Sequence, residues 1–158
     1  MSVIIITGTP GTGKTCLGKK LATFLNYEYI DVNDIIFKNK LNENYDKKRD
    51  TFIVDEKKLV KILNKIIKAK KNLIIESHMA HHLNPKHVNL CIVTKCNLKV
   101  LRNRLKNKGY SKSKVRENLD AEIFDICLNE AYEKGHNLLI IDTSKKKPEQ
   151  IIKTIFSS

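Results

Sequence analysis

"VIIITGTPGTGKT", residues 3–15, runs from a continuous apolar segment into a glycine-rich loop that closes on a lysine and a threonine. An unbroken Val/Ile run of this length fits a strand buried on both faces, the pattern of parallel sheets in α/β proteins. The loop itself, Gly8 to Thr15, matches G-x-x-x-x-G-K-[ST]. Its glycines Gly8, Gly11 and Gly13 free the backbone to turn its N–H groups onto phosphate oxygens. Lys14 carries positive charge to the β- and γ-phosphates, and Thr15 offers a hydroxyl to Mg²⁺. The helix expected to start here adds the positive end of its dipole. The opening therefore predicts a phosphate cradle, and the rest of the chain has to name the acceptor.

Outward from the loop, apolar periodicity alternates between strand and helix. Leu17, Leu21, Phe24 and Leu25 fall at helical spacing from Lys14 onward. "YEYIDV" (27–32), "NLIIES" (72–77), "NLCIVT" (89–94) and "NLLIID" (137–142) read as four further strands. Between them, Leu59, Ile62, Leu63, Ile66 and Ile67 form one face of a helix over 57–70, and Val100, Leu101 and Leu105 mark another. A long helix is expected over about 113–133, with Leu119, Ile123, Ile126, Cys127 and Ala131 on its apolar side and Ser111 or Ser113 as N-cap. Pro148 opens a last short helix. This order predicts an α/β fold of the P-loop NTPase class: a doubly wound, five-stranded parallel sheet with helices on both faces and ligands at the carboxyl ends of the strands. Residues 33–55 and 107–114 lack a core-forming pattern and read as polar insertions that cover a site.

Composition bounds the rest. The 158 residues suit one domain, and a hydrophobic fraction of 41% suits a packed core. No apolar run approaches the roughly 18 residues of a membrane span, and the start of the chain lacks the pattern of a secretory signal. Cys16, Cys91, Cys96 and Cys127 form no C-x-x-C pair and read as reduced thiols. Thirty Lys and Arg against 17 Asp and Glu give a net charge of +13, which suits nucleotides and nucleic acid alike. The same excess also fits lysines that merely solvate surfaces, since they are spread along the chain.

The remaining chemistry is placed by strand ends. "LIIESH" puts Glu76 at the end of the third strand, where a carboxylate orients water on Mg²⁺, with His78 two residues on. Thr15 and Glu76 are thus the candidate Mg²⁺ residues, Glu76 through water. His78, His81 and His82 have no thiolate or carboxylate partner at ligand spacing, so no zinc site is expected. "RNRLKNKGYSKSKVR" (102–116) gathers basic residues around Gly109 at a helix-to-helix turn, and reads as a lid able to close over ATP. A GTPase would need Asn-Lys-x-Asp after a late strand. "VTKCN" (93–97) has only the lysine, which favours adenine or a relaxed base preference.

With these pieces placed, the chain resembles the adenylate kinase isoenzyme 6 family, also called the coilin-interacting nuclear ATPase family. The resemblance spans nearly the whole chain. It rests on "ITGTPGTGKT" at the start, "NENYDKKRDTFIVDEKKL" (42–59), "ESHMAHHL" (76–83), "RLKNKGYSKSKVRENLDAEI" (104–123) and "DTSKKKPEQI" (142–151). It implies a single P-loop kinase domain over 1–158, with a nucleoside-monophosphate segment at about 31–54 and a lid at about 107–117. It implies adenylate kinase activity (ATP plus AMP giving two ADP) with broad monophosphate acceptance, an accompanying ATPase activity and Mg²⁺ dependence. It further implies a part in maturing small-subunit ribosomal RNA through the ribosomal protein uS11, and a cytoplasmic location, also nuclear in a eukaryote. By position, Gly11, Gly13, Lys14, Thr15 and Cys16 would line the ATP phosphates, Lys108 would reach ATP from the lid, and Lys147 would lie near adenine.

The chain departs from the family pattern at four places. Lys108 stands for the usual lid arginine, Glu76 for the aspartate of D-x-H, and Cys16 for a second threonine. Phe37 stands where some members carry arginine. Transfer to AMP needs no general base, because its phosphate is already ionised, so Lys14, Mg²⁺ and the lid supply positioning and charge. Hydrolysis must orient water, and His78, with Glu76, is the candidate. Two other readings stand beside this one: an ATP-driven ribosome-assembly factor with incidental kinase activity, and a small-metabolite kinase on the same scaffold. The second is disfavoured by a single arginine, Arg49, in the acceptor segment.

Overall fold

A computed structural model describes residues 2–49 and 51–157. Strands β1 (Ser2–Gly8), β2 (Glu28–Asp31), β5 (Asn72–Glu76), β6 (Leu90–Lys95) and β7 (Leu138–Asp142) form a parallel sheet in the order β2-β5-β1-β6-β7. The five strands are those expected from the apolar runs. β1 lies at the centre because its Val3–Ile6 segment is buried on both faces, and alternate residues divide between two cores. Val3 and Ile5 meet Leu59, Leu63 and Ile67 of α3 (Glu56–Ala69) and Ala131 of α6 (Ile126–Lys134). Ile4 and Ile6 meet Leu17 and Leu21 of α1 (Lys14–Leu25) and Ile151 and Ile152 of α7 (Pro148–Phe156). Full burial of each such side chain contributes about 1.5–3 kcal/mol, so the three inward residues of α3 hold that helix despite its lysine-rich outer face.

The polar insertion after β2 is more ordered than its composition suggests. It forms α2 (Val32–Lys38) and an antiparallel hairpin of β3 (Asn44–Asp46) and β4 (Thr51–Ile53). Asp31 caps α2 by accepting from Asn33 N–H, and Val32, Ile36 and Leu41 anchor the segment in the core. Tyr45 and Phe52 pack edge to face across the hairpin.

One expectation is corrected. The long helix over 113–133 is two helices, α5 (Lys112–Ile123) and α6, broken at Phe124–Asp125, where Asp125 adopts φ +51°. The break turns Ile123 and Ile126 outward, so they are exposed and do not join the apolar side with Leu119 and Ala131. Lys95, at the end of β6, holds the kink by pairing with both Glu122 and Asp125. Ser111 is the N-cap of α5, accepting from Lys114 N–H. α4 (Leu98–Asn107) packs on α5 through Leu101, Leu105, Val115 and Leu119, and Gly109 (φ +79°) makes the turn between them. No helix among the described residues is long and apolar enough to cross a membrane.

Candidate active site

The carboxyl ends of β1, β5, β6 and β7 meet at residues 8–15. Gly8 must be glycine, since a Cβ would lie 2.3 Å from Thr94 Oγ1 and 2.8 Å from the Thr94 carbonyl oxygen. Gly11 (φ +90°) lies under α4, where a Cβ would meet Leu101 and Leu105 at 2.9 Å. Gly13 (φ +89°) starts α1 in the left-handed conformation that glycine adopts at least cost. Thr12 pins the loop with its hydroxyl 2.6 Å from the Thr9 carbonyl and 2.7 Å from Thr94 Oγ1. Thr143 donates to the Thr12 carbonyl at 2.6 Å.

Lys14 folds back over this loop, its ammonium donating to the carbonyls of Gly8 (2.9 Å) and Thr9 (3.1 Å). The side chain is buried, and loss of water lowers its pKa from 10.5 to about 8 despite the nearby Glu76 charge. Thr15, one residue on, donates to Glu76 Oε2 at 3.1 Å, and Tyr29 donates to the same oxygen at 2.7 Å. Burial and this bond hold the Tyr29 phenol far above its ordinary pKa, so it remains a donor. Gly18 leaves room for the arrangement, as a Cβ there would stand 3.1 Å from the Tyr29 ring.

A cleft of about 880 Å³ opens in front of Lys14 and Thr15. Glu76 and His78 from the end of β5 form one wall, together with Cys127 and Glu130 of α6. Asn33, Arg49 and Thr51 reach it from the insertion after β2, and Lys108, Tyr110 and Glu117 from the α4–α5 turn. The His78 ring is accessible from the cleft, yet crowding by the walls, with repulsion from Lys14, lowers its pKa to about 4. It is therefore neutral near pH 7, able to accept a hydrogen bond from water but weak as a base. A second cavity of about 430 Å³ adjoins the loop behind Gly13, Cys16 and Leu17, closed by residues 143–148, and Lys147 lines it.

A family model described as an AAA domain matches residues 4–125. The chain belongs to the AAA domain family. This AAA domain chain is 37% identical over 155 residues to a Methanocaldococcus jannaschii protein named "Putative adenylate kinase", covering 98% of this chain and 84% of that one. A Thermococcus kodakarensis protein of the same name is 35% identical, again over 98% and 84%. Among solved structures, shikimate kinase from Acinetobacter baumannii in complex with shikimate superposes with a TM-score of 0.68 at 15% identity, over 99% of this chain and 94% of the other. Deoxyadenosine kinase from M. mycoides with bound dATP gives 0.64 at 15%, over 99% and 98%. At that identity the likeness is one of fold, and it agrees with the five-stranded parallel sheet and flanking helices of P-loop kinases.

The AAA domain thus brings nearly all the residues singled out in the sequence around two adjoining cavities. Gly11, Gly13, Lys14, Thr15, Cys16, Glu76, His78 and Lys108 line the larger one, and Lys147 lines the smaller. Phe37 is exposed and lines neither. Several residues of the site had no signal in the sequence. Tyr29 binds Glu76 from a neighbouring strand, and buried Glu122 accepts from Thr9 Oγ1 at 3.0 Å and from Cys96 N–H at 2.7 Å. Arg104 does belong to the basic run at 102–116, but its partner is not legible there: it spans both cavities, donating to the Thr143 hydroxyl at 3.0 Å and carbonyl at 2.9 Å. Expectation and structure part over the histidines. Local spacing offered His81 and His82 no carboxylate, but α6 brings Glu130 Oε2 to 2.6 Å from His81 Nε2 and 3.9 Å from His82 Nε2.

Proposed function

We propose that this protein is a cytoplasmic nucleoside monophosphate kinase of the adenylate kinase type, which moves the γ-phosphoryl group of ATP to AMP and hydrolyses ATP as a second reaction. The observation that carries this reading is the single cleft in which Lys14 and Thr15 face residues from both the 31–54 insertion and the α4–α5 turn. At about 880 Å³ it lies high in the roughly 300–1,000 Å³ range of small-molecule sites. The names of the archaeal relatives supply the nucleotide class.

In this reading Gly11, Gly13, Lys14, Thr15 and Cys16 hold the β- and γ-phosphates, and the adenine of ATP enters the smaller cavity beside Lys147. Residues 31–54 bind the acceptor, and 107–117 close as a lid that brings Lys108 onto ATP. Thr15 Oγ1 and the Glu76 carboxylate, 3.1 Å apart, are hard oxygen donors that fit Mg²⁺ retaining most of its waters. A Mg²⁺ held by these residues would neutralise charge on the ATP phosphates. Lys14 leaves its two loop carbonyls for phosphate oxygens and follows the charge as it moves to the bridging oxygen. The AMP phosphate attacks as an anion, so no side chain removes a proton. In hydrolysis the neutral His78 ring orients the attacking water beside Glu76.

Coupled assay of ADP formation with ATP plus AMP, CMP or UMP tests the reading. AMP is expected to raise ADP formation well above the rate with ATP alone. Equal rates with and without AMP overturn the kinase reading and leave the ATPase.

A second reading makes hydrolysis primary, in an assembly factor acting on small-subunit ribosomal RNA through uS11. The net charge of +13 and the Lys108 substitution favour it, because a lysine grips a phosphate less selectively than the arginine fork. ATP-sensitive co-purification with uS11 or that RNA is its test, and no association in either nucleotide state removes it. A small-metabolite kinase is less well supported. Arg49, the one arginine in residues 31–54, is already engaged by Glu117 and forms no carboxylate clamp.

A further inference from the structure

Beside the phosphate loop, a short turn after β5 carries His81 and His82, and both rings approach Glu130 of α6 with their Nε2 atoms. The three ligand atoms lie within 4.8 Å of one another. Each ring is held from behind through Nδ1. His82 Nδ1 is 2.8 Å from Glu56 Oε1, at the first turn of α3, and an ionised carboxylate only accepts. Nδ1 therefore carries the hydrogen that Glu56 accepts, which leaves Nε2 as the nitrogen able to bind a metal. His81 Nδ1 is 2.7 Å from Thr7 Oγ1 of β1, whose hydroxyl also has the His78 carbonyl oxygen at 3.4 Å. His81 Nε2, 2.6 Å from Glu130 Oε2, donates to that carboxylate, so the Thr7 hydroxyl donates to Nδ1; a cation at Nε2 would move the ring hydrogen to Nδ1, where Thr7 Oγ1 can accept it while turning its own hydroxyl to the His78 carbonyl. After that tautomer shift, two imidazole lone pairs and a carboxylate face one point, an arrangement that a cation stabilises.

We propose that His81, His82 and Glu130 bind a divalent transition-metal ion of the Zn²⁺ class, with three protein ligands and a fourth position open to the cleft. Two imidazole nitrogens and one carboxylate are the donor set that suits zinc, and they disfavour Mg²⁺. Ligand atoms around a tetrahedral zinc with bonds of about 2.0–2.1 Å stand roughly 3.3 Å apart. The present separations of 2.6 and 3.9 Å bracket that value, so rotamer adjustments of Glu130 and His82, both partly exposed, complete the shell. Glu56 and Thr7 are the outer partners that fix ring orientation, as carboxylate–histidine–zinc arrangements require. Glu130 also lines the cleft that holds Lys14, so an oxygen of water or of a bound anion completes the coordination. The site is distinct from the Thr15–Glu76 pair: oxygen donors there take the hard ion, and nitrogen donors here take the softer one.

The test uses the full chain without a polyhistidine tag, stripped with chelator and titrated with Zn²⁺ against a competing chelating dye, and separately with Co²⁺. One saturable equivalent is expected, with visible Co²⁺ bands of low coordination number and no intense thiolate charge-transfer band. Glu130→Ala and His82→Ala, both at partly exposed positions, are expected to weaken zinc about a hundredfold or more. Glu56→Ala should weaken it roughly ten- to a hundredfold as an orienting residue. Circular dichroism shows whether each variant is folded, and zinc should raise the melting temperature of the wild type but not of Glu130→Ala. No saturable binding, affinities unchanged in both ligand variants, or a thiolate band removed by Cys127→Ser each overturns the proposal. None of these readouts involves nucleotide turnover, so they stand or fall apart from the kinase reading.

Discussion

Arg49, in the turn between β3 and β4, reaches Glu117 on α5 with Nε 3.0 Å from Oε1, and its Nη2 bonds the same oxygen. This pair bridges the two segments that flank the cleft, 68 residues apart in the chain. Both side chains are largely solvated, so the contact adds little to stability. Its effect belongs to the relative placement of the β3–β4 turn and α5, the segments proposed to bind the acceptor and to close over ATP.

Arg49→Ala and Glu117→Ala are therefore expected to leave the melting temperature within a degree or two, yet raise KM for AMP several-fold with KM for ATP nearly unchanged. Screening by salt should mimic the effect in the wild type. The exchanged pair, Arg49→Glu with Glu117→Arg, should recover much of the loss. Initial-rate kinetics on the three variants decide, and equal effects on both substrates would count against the bridge.

Tyr29 and Glu76 give a prediction about Mg²⁺. Glu76 is buried and held on one oxygen by Tyr29 and Thr15. Tyr29→Phe removes one positioning bond and should raise the Mg²⁺ concentration for half-maximal turnover about three- to tenfold, since a typical hydrogen bond contributes about 1 kcal/mol. Glu76→Gln should lower turnover roughly a hundredfold or more. Mg²⁺ titrations of turnover measure both, and a Tyr29→Phe curve that overlays the wild type would remove Tyr29 from the site.

Which parts were legible in the sequence follows from what sequence can encode. The five strands and α1 announce themselves because residues buried on both faces must be uniformly apolar, and the P-loop because its glycines satisfy a backbone demand that other residues meet poorly. The hairpin at 44–53 is quiet because its ring pair, Tyr45 and Phe52, packs at the surface and not in the core. The break at Asp125 is quieter still. Residues 113–133 keep helical periodicity through it, and the kink depends on Lys95, which arrives from β6. Tyr29, Glu122, Glu130 and Arg104 share one trait: each meets its partner across strands or layers, and no local spacing records a contact that the fold creates.

Lys14 ties stability to pH. Its pKa is about 8 in the folded protein against 10.5 for an ordinary lysine. Between these values the unfolded chain binds more protons at this site, so its contribution to stability rises with pH. The strain is fully present below pH 8 and is relieved by pH 10.5. Relative to Lys14→Met, which cannot titrate, the wild type should gain up to about 3 kcal/mol over that window. Denaturant unfolding of both proteins at matched pH reads the difference directly, and parallel curves would mean that the ammonium is well solvated. Turnover of Lys14→Met should fall about 10²–10³-fold at any pH.

His78 is expected to separate the two proposed reactions. Its ring is neutral above about pH 4, held there by its crowded surroundings and by Lys14. It suits accepting a hydrogen bond from water, whereas an AMP phosphate arrives already ionised and asks nothing of it. His78→Ala is therefore expected to cut AMP-independent ATP hydrolysis about ten- to a hundredfold, toward the low end of what a positioned base contributes because so weak a base mainly orients. The AMP-dependent rate should change less than threefold. As the folded pKa is depressed, the wild-type hydrolysis rate should show no inflection from this residue between pH 6 and 9 and should fall only as the pH nears 4. Rates with and without AMP, each taken across that pH range, separate the cases. A His78→Ala variant that loses both activities equally would assign the ring to phosphate binding instead of to water.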